Sequence, residues 1–108
     1  MDIGGGYTIL QKSKNLAKVL GLKDLYIKND SVNPTFSFKD RPASVAISKA
    51  QEFGFTAVGC PSTGNLAAAV AAHAAEAGLP CYVYVSTSVE INKIIQVETY
   101  GAKIVKID

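Results

Sequence analysis

The 108-residue sequence has no tryptophan, one methionine, one histidine (His73) and one arginine (Arg41). Its two cysteines, Cys60 and Cys81, are too few for a disulfide framework. With a single histidine they also make no zinc ligand set, so no metal site is expected. No apolar run approaches the roughly 18 residues of a membrane-spanning helix. The opening Met-Asp-Ile-Gly-Gly-Gly lacks the basic region and apolar stretch of a secretory signal. A strong charge of either sign is missing too. Eleven Lys and Arg against nine Asp and Glu leave a formal net charge of +2, with the lysines scattered. That balance offers no footprint for nucleic acid. The absences together lead to the expectation of a soluble cytoplasmic protein with neither a nucleic-acid nor a membrane partner.

What is present is a hydrophobic fraction of 48%, ordinary for a folded chain, in a length that suits one modest domain. The pattern alternates between strand-like and helix-like segments. Residues 25–28 are β-prone and run into a loop rich in Asn, Asp, Ser and Pro. Ala43, Ala46, Ile47, Ala50 and Phe53 then recur at helical spacing, with Pro42 near the start and Gly54 at the end, which predicts a helix over 41–53. Residues 56–59 read as a short strand. Residues 65–77 are so rich in alanine that a close-packed helix is expected, capped by Ser62 or Thr63 and ended by Gly78. Strands are predicted at 81–85 and 103–107, with a helix over 90–100 between them and a further helix near 13–20. Strands joined by helical crossovers predict an α/β fold, a parallel β-sheet with helices on both faces in a Rossmann-like three-layer arrangement.

Ligands of parallel sheets gather at the carboxyl ends of the strands, and two loops lie there. The first, residues 33–42, reads Asn-Pro-Thr-Phe-Ser-Phe-Lys-Asp-Arg-Pro. Lys39 stands between Phe38 and Asp40 beside a helix start, where the helix dipole and desolvation would favour the neutral amine, a nucleophile and proton carrier; the alternative is a surface lysine paired with Asp40. Asp40 and Arg41 are expected to form a buried ion pair supporting this loop. The second loop, Ser62-Thr63-Gly64-Asn65, offers backbone N–H groups, two hydroxyls and an amide at a helix N-terminus, a set that suits a carboxylate or phosphate. Gly59 to Gly64 has the glycine spacing of a P-loop, but Asn65 and Leu66 stand where Lys and Ser or Thr are required, which excludes triphosphate chemistry. His73 reads as a helix packing residue, and Cys60 and Cys81 as buried free thiols in strands.

The segment Asn33-Pro-Thr-Phe-Ser-Phe-Lys-Asp-Arg41 resembles the lysine loop of fold-type II pyridoxal-phosphate (PLP) enzymes, and Ser62-Thr-Gly-Asn65 resembles their asparagine loop. Ala74-Ala-Glu-Ala-Gly-Leu-Pro80 and the later Lys93, Gln96 and Gly101-Ala-Lys103 also fit. Within that family the wording is most similar to that of the threonine synthases, which convert O-phosphohomoserine and water to threonine and phosphate. Threonine dehydratases and cysteate synthases are the alternatives within the family. A non-catalytic α/β domain that binds a small anion or a partner is the alternative outside it.

The resemblance implies a residue-by-residue assignment. Lys39 forms a Schiff base with PLP and later moves protons, Asn65 bonds the cofactor's ring hydroxyl, and Phe38 packs near the cofactor. Ser62, Thr63 and Gly64 hold the substrate carboxylate. It also implies that residues 1–108 are the N-terminal fragment of a longer enzyme, with the lysine loop at 33–42 and a small mobile domain over about 41–108. The missing C-terminal portion would complete the cofactor pocket, the substrate would be a small amino acid, and the full-length enzyme would be a homodimer. Three positions depart from the usual form: Phe36 and Pro42 stand where glycine is common, and Leu66 replaces a threonine.

Overall fold

The computed structural model describes residues 3–108, apart from the side chain of Lys93. The chain runs β1 (Ile9–Lys12), α1 (Lys14–Val19), β2 (Tyr26–Asn29), a 3-10 turn (Asp30–Val32), α2 (Asp40–Glu52), β3 (Val58–Pro61), α3 (Asn65–Glu76), β4 (Cys81–Ser86), a second 3-10 turn (Ile91–Lys93), α4 (Ile95–Thr99) and β5 (Lys103–Ile107).

Strands β3, β4 and β5 form the expected parallel sheet in that order, with Cys60 opposite Val83 and Tyr84 opposite Val105. Residues 25–28 do not extend it. They belong to β2, which pairs antiparallel with β1, Ile9 opposite Asn29, in a separate two-stranded sheet. The sequence pattern predicts a loop where β1 runs. All four residues of β1 are exposed, so it carries none of the alternation that burial imprints on a strand. Strand β3 lies two residues later than expected and ends on Pro61. It is an edge strand, where proline is tolerated. The helix expected over 90–100 divides into the second 3-10 turn and the five-residue α4.

Helix α2 takes Pro42 in its first turn, where a missing N–H costs nothing. It stops at Gly54, whose φ of +74° lets the Phe55 N–H return to the Ala50 carbonyl at 2.9 Å. Helix α3 stops the same way at Gly78. Eight consecutive residues of α3, Ala67 to Ala74, are buried. Small side chains let this helix lie on β3 and β4 while α2 packs along it. Ala43 and Ile47 of α2, Ala67, Ala69, Ala71 and Ala74 of α3, Cys81, Val83 and Val85 of β4, and Val97 of α4 share one core. Val83 and Val97 are sealed from solvent, each side chain contributing about 1.5–3 kcal/mol by burial. On β4 the residues facing that core alternate with the more open Tyr82, Tyr84 and Ser86. Helix α3 packs on β3 and β4, and α4 packs against α3, so the inward residues of β4 meet this helical layer.

The radius of gyration is 16.9 Å, against about 13 Å for a compact chain of this length. The excess goes with exposed apolar side chains around the first sheet, among them Tyr7, Leu10, Val19 and Leu20. Among the described residues no helix is long and apolar enough to cross a membrane.

Candidate active site

The lysine loop is locked from within. Buried Asn33 accepts the Gly6 N–H on Oδ1 at 2.9 Å and donates from Nδ2 to the Asp30 carbonyl at 2.9 Å. Its own carbonyl takes the Phe36 N–H at 2.8 Å. The tight turn sets Phe36 at φ 60°, the left-handed region where a glycine is the ordinary choice. Thr35 donates its N–H and its hydroxyl to Asp40 Oδ2 at 2.9 and 2.8 Å, so a carboxylate on the first residue of α2 closes residues 35–40 into a ring. The Lys39 N–H donates to Ser37 Oγ at 3.1 Å. Lys39 thus sits half-buried just ahead of α2, with its Nζ 4.6 Å from the centre of the half-exposed Phe38 ring.

Asp40 and Arg41 do not pair with each other. Successive residues at a helix start point in different directions, and each finds a partner far along the chain. Arg41 donates to Asp30 from Nε at 3.0 Å and from Nη2 at 2.7 Å, and Nη2 also reaches Thr8 Oγ1 at 2.9 Å. The Arg41 hydrogen bond holds the Asp30 carboxyl below its usual value, against partial desolvation. The same contact raises the Arg41 guanidinium. Gly6 makes room for it, because a Cβ there would meet Arg41 Nη1 at 3.0 Å. Gly6, whose N–H is held by Asn33, is the strap of this clasp. Asp40 instead pairs with His73, whose Nε2 lies 3.1 Å from Oδ1, with both side chains buried. The sequence reads His73 as plain packing. The partners are 33 residues apart, so no local pattern announces them.

The second loop is built differently from the expectation. Neither Ser62 nor Thr63 caps α3. Gly64 is the N-cap and supplies no side-chain bond, while Ser62 Oγ accepts the Gly64 N–H at 3.4 Å. The start of this twelve-residue helix is exposed at Gly64 and Asn65 and carries no side-chain cap, beside exposed Thr63 and half-exposed Ser62. A Cβ at Gly64 would meet nothing within 4 Å. Uncapped N–H groups at a helix start are the kind of arrangement that suits an anion. Among the described residues no hydrogen bond joins it to the Lys39 side chain. The two loops are linked through the packing of α2 on α3 and through the Asp40–His73 bond.

Cys60 and Cys81 are buried free thiols, as expected. Burial pushes Cys60 up and Cys81 up to about 11, with Cys60 adding to the second shift. Among the described residues no cluster of His, Cys, Asp and Glu could hold a metal ion.

The whole chain, residues 1–108, matches the family model described as pyridoxal-phosphate dependent enzyme. It is 45% identical over 103 residues to threonine synthase from Methanocaldococcus jannaschii, covering 94% of this chain and 25% of that protein. It is 44% identical over 108 residues to threonine synthase from Methanosarcina acetivorans, covering 99% of this chain and 27% of the relative. Among solved structures, threonine deaminase isoform 2 from Solanum lycopersicum superposes with a TM-score of 0.83 at 28% identity, over 93% of this chain and 28% of that one. The chain thus spans 25–30% of the length of the curated relatives it matches.

Proposed function

Because the chain belongs to the family of pyridoxal-phosphate dependent enzymes, we propose that it is the N-terminal part of a threonine synthase, which forms L-threonine and phosphate from O-phospho-L-homoserine and water. The observation that carries the reading is the pairing of two unlike groups at consecutive strand–helix junctions: a half-buried amine on a locked loop and an uncapped helix N-terminus ringed by Ser62, Thr63 and Asn65. The identity to threonine synthases over nearly the whole chain supports the substrate.

The residues present fit PLP. Lys39 offers a reachable primary amine for covalent attachment, Asn65 an exposed side-chain amide, and Gly64 an open flank. When bound, PLP supplies an electron sink for charge developing beside the substrate's amino group. The chain's own residues do the rest. Lys39 would hold the cofactor covalently through Nζ and, as a free amine, would take and return protons there. Ser62, Thr63 and the amides around Gly64 hold the substrate carboxylate at the positive end of α3. Asn65 would hydrogen-bond the cofactor's ring hydroxyl, and Phe38 would pack near the cofactor. Residues 33–42 serve as the lysine loop, and residues about 41–108 as a small domain that closes on substrate.

The long radius of gyration and the exposed apolar surface of the first sheet support a further C-terminal portion packing here to complete the cofactor pocket. The full-length enzyme acts in the cytoplasm as a homodimer on this reading. Treating the full-length protein with PLP and then borohydride tests it. Label on Lys39 is expected, together with phosphate release from O-phosphohomoserine in excess of threonine deamination. Label on another lysine, or dominant deamination, overturns the assignment.

A further inference from the structure

We propose that His73 is a positioning residue for the lysine loop: through Nε2 it holds the Asp40 carboxylate and so sets Lys39 relative to the ligand-facing end of α3. The inference rests on the reading of Lys39 as the cofactor amine. The Asp40 side chain is fully buried and His73 is only 3% exposed. The two carboxylate oxygens have separate duties. Oδ2 accepts both donors of Thr35 and closes the loop that ends in Lys39, and Oδ1 faces His73 Nε2 at 3.1 Å. An ionised carboxylate only accepts, so Nε2–H donates. One carboxylate therefore joins the lysine loop to α3.

The surroundings show why such a latch is needed. His73 is the one polar residue in the buried run Ala67 to Ala74. Methyl groups give α3 little relief, so packing alone fixes weakly how far α2 slides along it. A single buried polar contact sets register, because any shift leaves His73 Nε2 and Asp40 Oδ1 without each other in the core. Gly5 closes the third side: a Cβ there would come within 3.0 Å of the Asp40 carbonyl, 3.2 Å of Ser44 Cβ and 3.3 Å of His73 Cε1. Three segments thus converge on the pair. His73 itself lies eight residues beyond Asn65, roughly 12 Å along the helix. It acts through Asp40, not on a ligand at the helix start.

The test uses the full-length, cofactor-loaded protein and the variants His73→Leu and His73→Gln, the glutamine amide standing in for Nε2–H. In His73→Leu, kcat is expected to fall at least about tenfold with KM within about twofold. Amide exchange at Thr35 should speed up about tenfold while exchange within 67–71 stays unchanged. His73→Gln should recover kcat to within about threefold. Wild-type kcat and Thr35 exchange in His73→Leu overturn the proposal, as does a glutamine variant no better than leucine. If His73→Leu does not fold, Thr35→Val loosens the same carboxylate from the other side. A severalfold fall in kcat supports the latch and an unchanged kcat sinks it. Borohydride labelling of the wild type separates the two readings. Without label on Lys39 the proposed function fails. With label and no kinetic effect, only the latch fails.

Discussion

Arg41 grips Asp30 with two nitrogens, Nε at 3.0 Å and Nη2 at 2.7 Å, and uses the second to hold the Thr8 hydroxyl as well. The residue after the Lys39–Asp40 pair is thereby fastened to the segment that leads into β1. Arginine's planar fork suits this two-point grip, and a lysine supplies only one charged point. In Arg41→Lys, hydrogen exchange and proteolysis in residues 4–8 should increase while the parallel sheet keeps its protection.

The same contact gives an acid dependence. The Arg41 hydrogen bond lowers Asp30 from its reference of 3.8. A carboxyl lowered in the folded state stabilises the fold above its unfolded value, and that gain is lost as the pH falls through the folded value. Denaturation midpoints of wild type and Asp30→Asn should differ by a constant amount at neutral pH. The gap should close as the pH drops below about 3.8. A gap that widens in acid would contradict the assignment.

Phe36 is the one non-glycine residue at positive φ among the described residues, and its ring is three-quarters exposed. Left-handed backbone costs about 1–2 kcal/mol, and glycine gives back about 0.5–1 kcal/mol in unfolded-state entropy. Phe36→Gly should therefore stabilise the protein by about 0.5–1 kcal/mol. Urea denaturation measures this, and a destabilised variant would mean that the exposed ring packs in the full-length enzyme.

Gly64 separates stability from binding. Its φ of −130° is open to alanine and nothing lies within 4 Å of an added methyl, so Gly64→Ala should melt within about 0.5 kcal/mol of wild type. The methyl would stand among the amides assigned to the substrate carboxylate, and KM should rise about tenfold, equivalent to ~1.4 kcal/mol. Lys39→Ala should also fold, since the side chain is only half-buried. Loss of its proton transfers should lower turnover by at least about 100-fold.

Cys81, raised by burial to about 11, stays protonated near neutrality. Neither thiol should react with iodoacetamide at pH 8 until the protein is unfolded. An unfolded thiol titrates near 9.0. A raised folded value stabilises the fold below pH 9, and that gain disappears as the pH climbs from 9 toward 11. Cys81→Ala should flatten this alkaline decline.

The sequence makes some of this legible and hides the rest for physical reasons. Helices α2 and α3 announce themselves by apolar spacing, alanine content and the stops at Gly54 and Gly78, and β4 by its alternating Cys, Val and Val. Those signals are local. The separate sheet is invisible because Ile9 to Lys12 bury nothing and the pairing with Tyr26 to Asn29 is set at a distance. The Lys39 and Ser62–Asn65 loops are readable as motifs. The real partners of Asp40 and Arg41 are not, because neighbouring opposite charges invite a local pairing that the helix start forbids.

Arg41 reaches back 33 residues to Thr8, and Asp40 reaches forward 33 residues to His73. That symmetry fixes an order of events as the chain leaves the ribosome. The backward grip can close once residue 41 has emerged, but the forward one waits for residue 73 and most of α3. Until then the Asp40 carboxylate has only its local donors from Thr35.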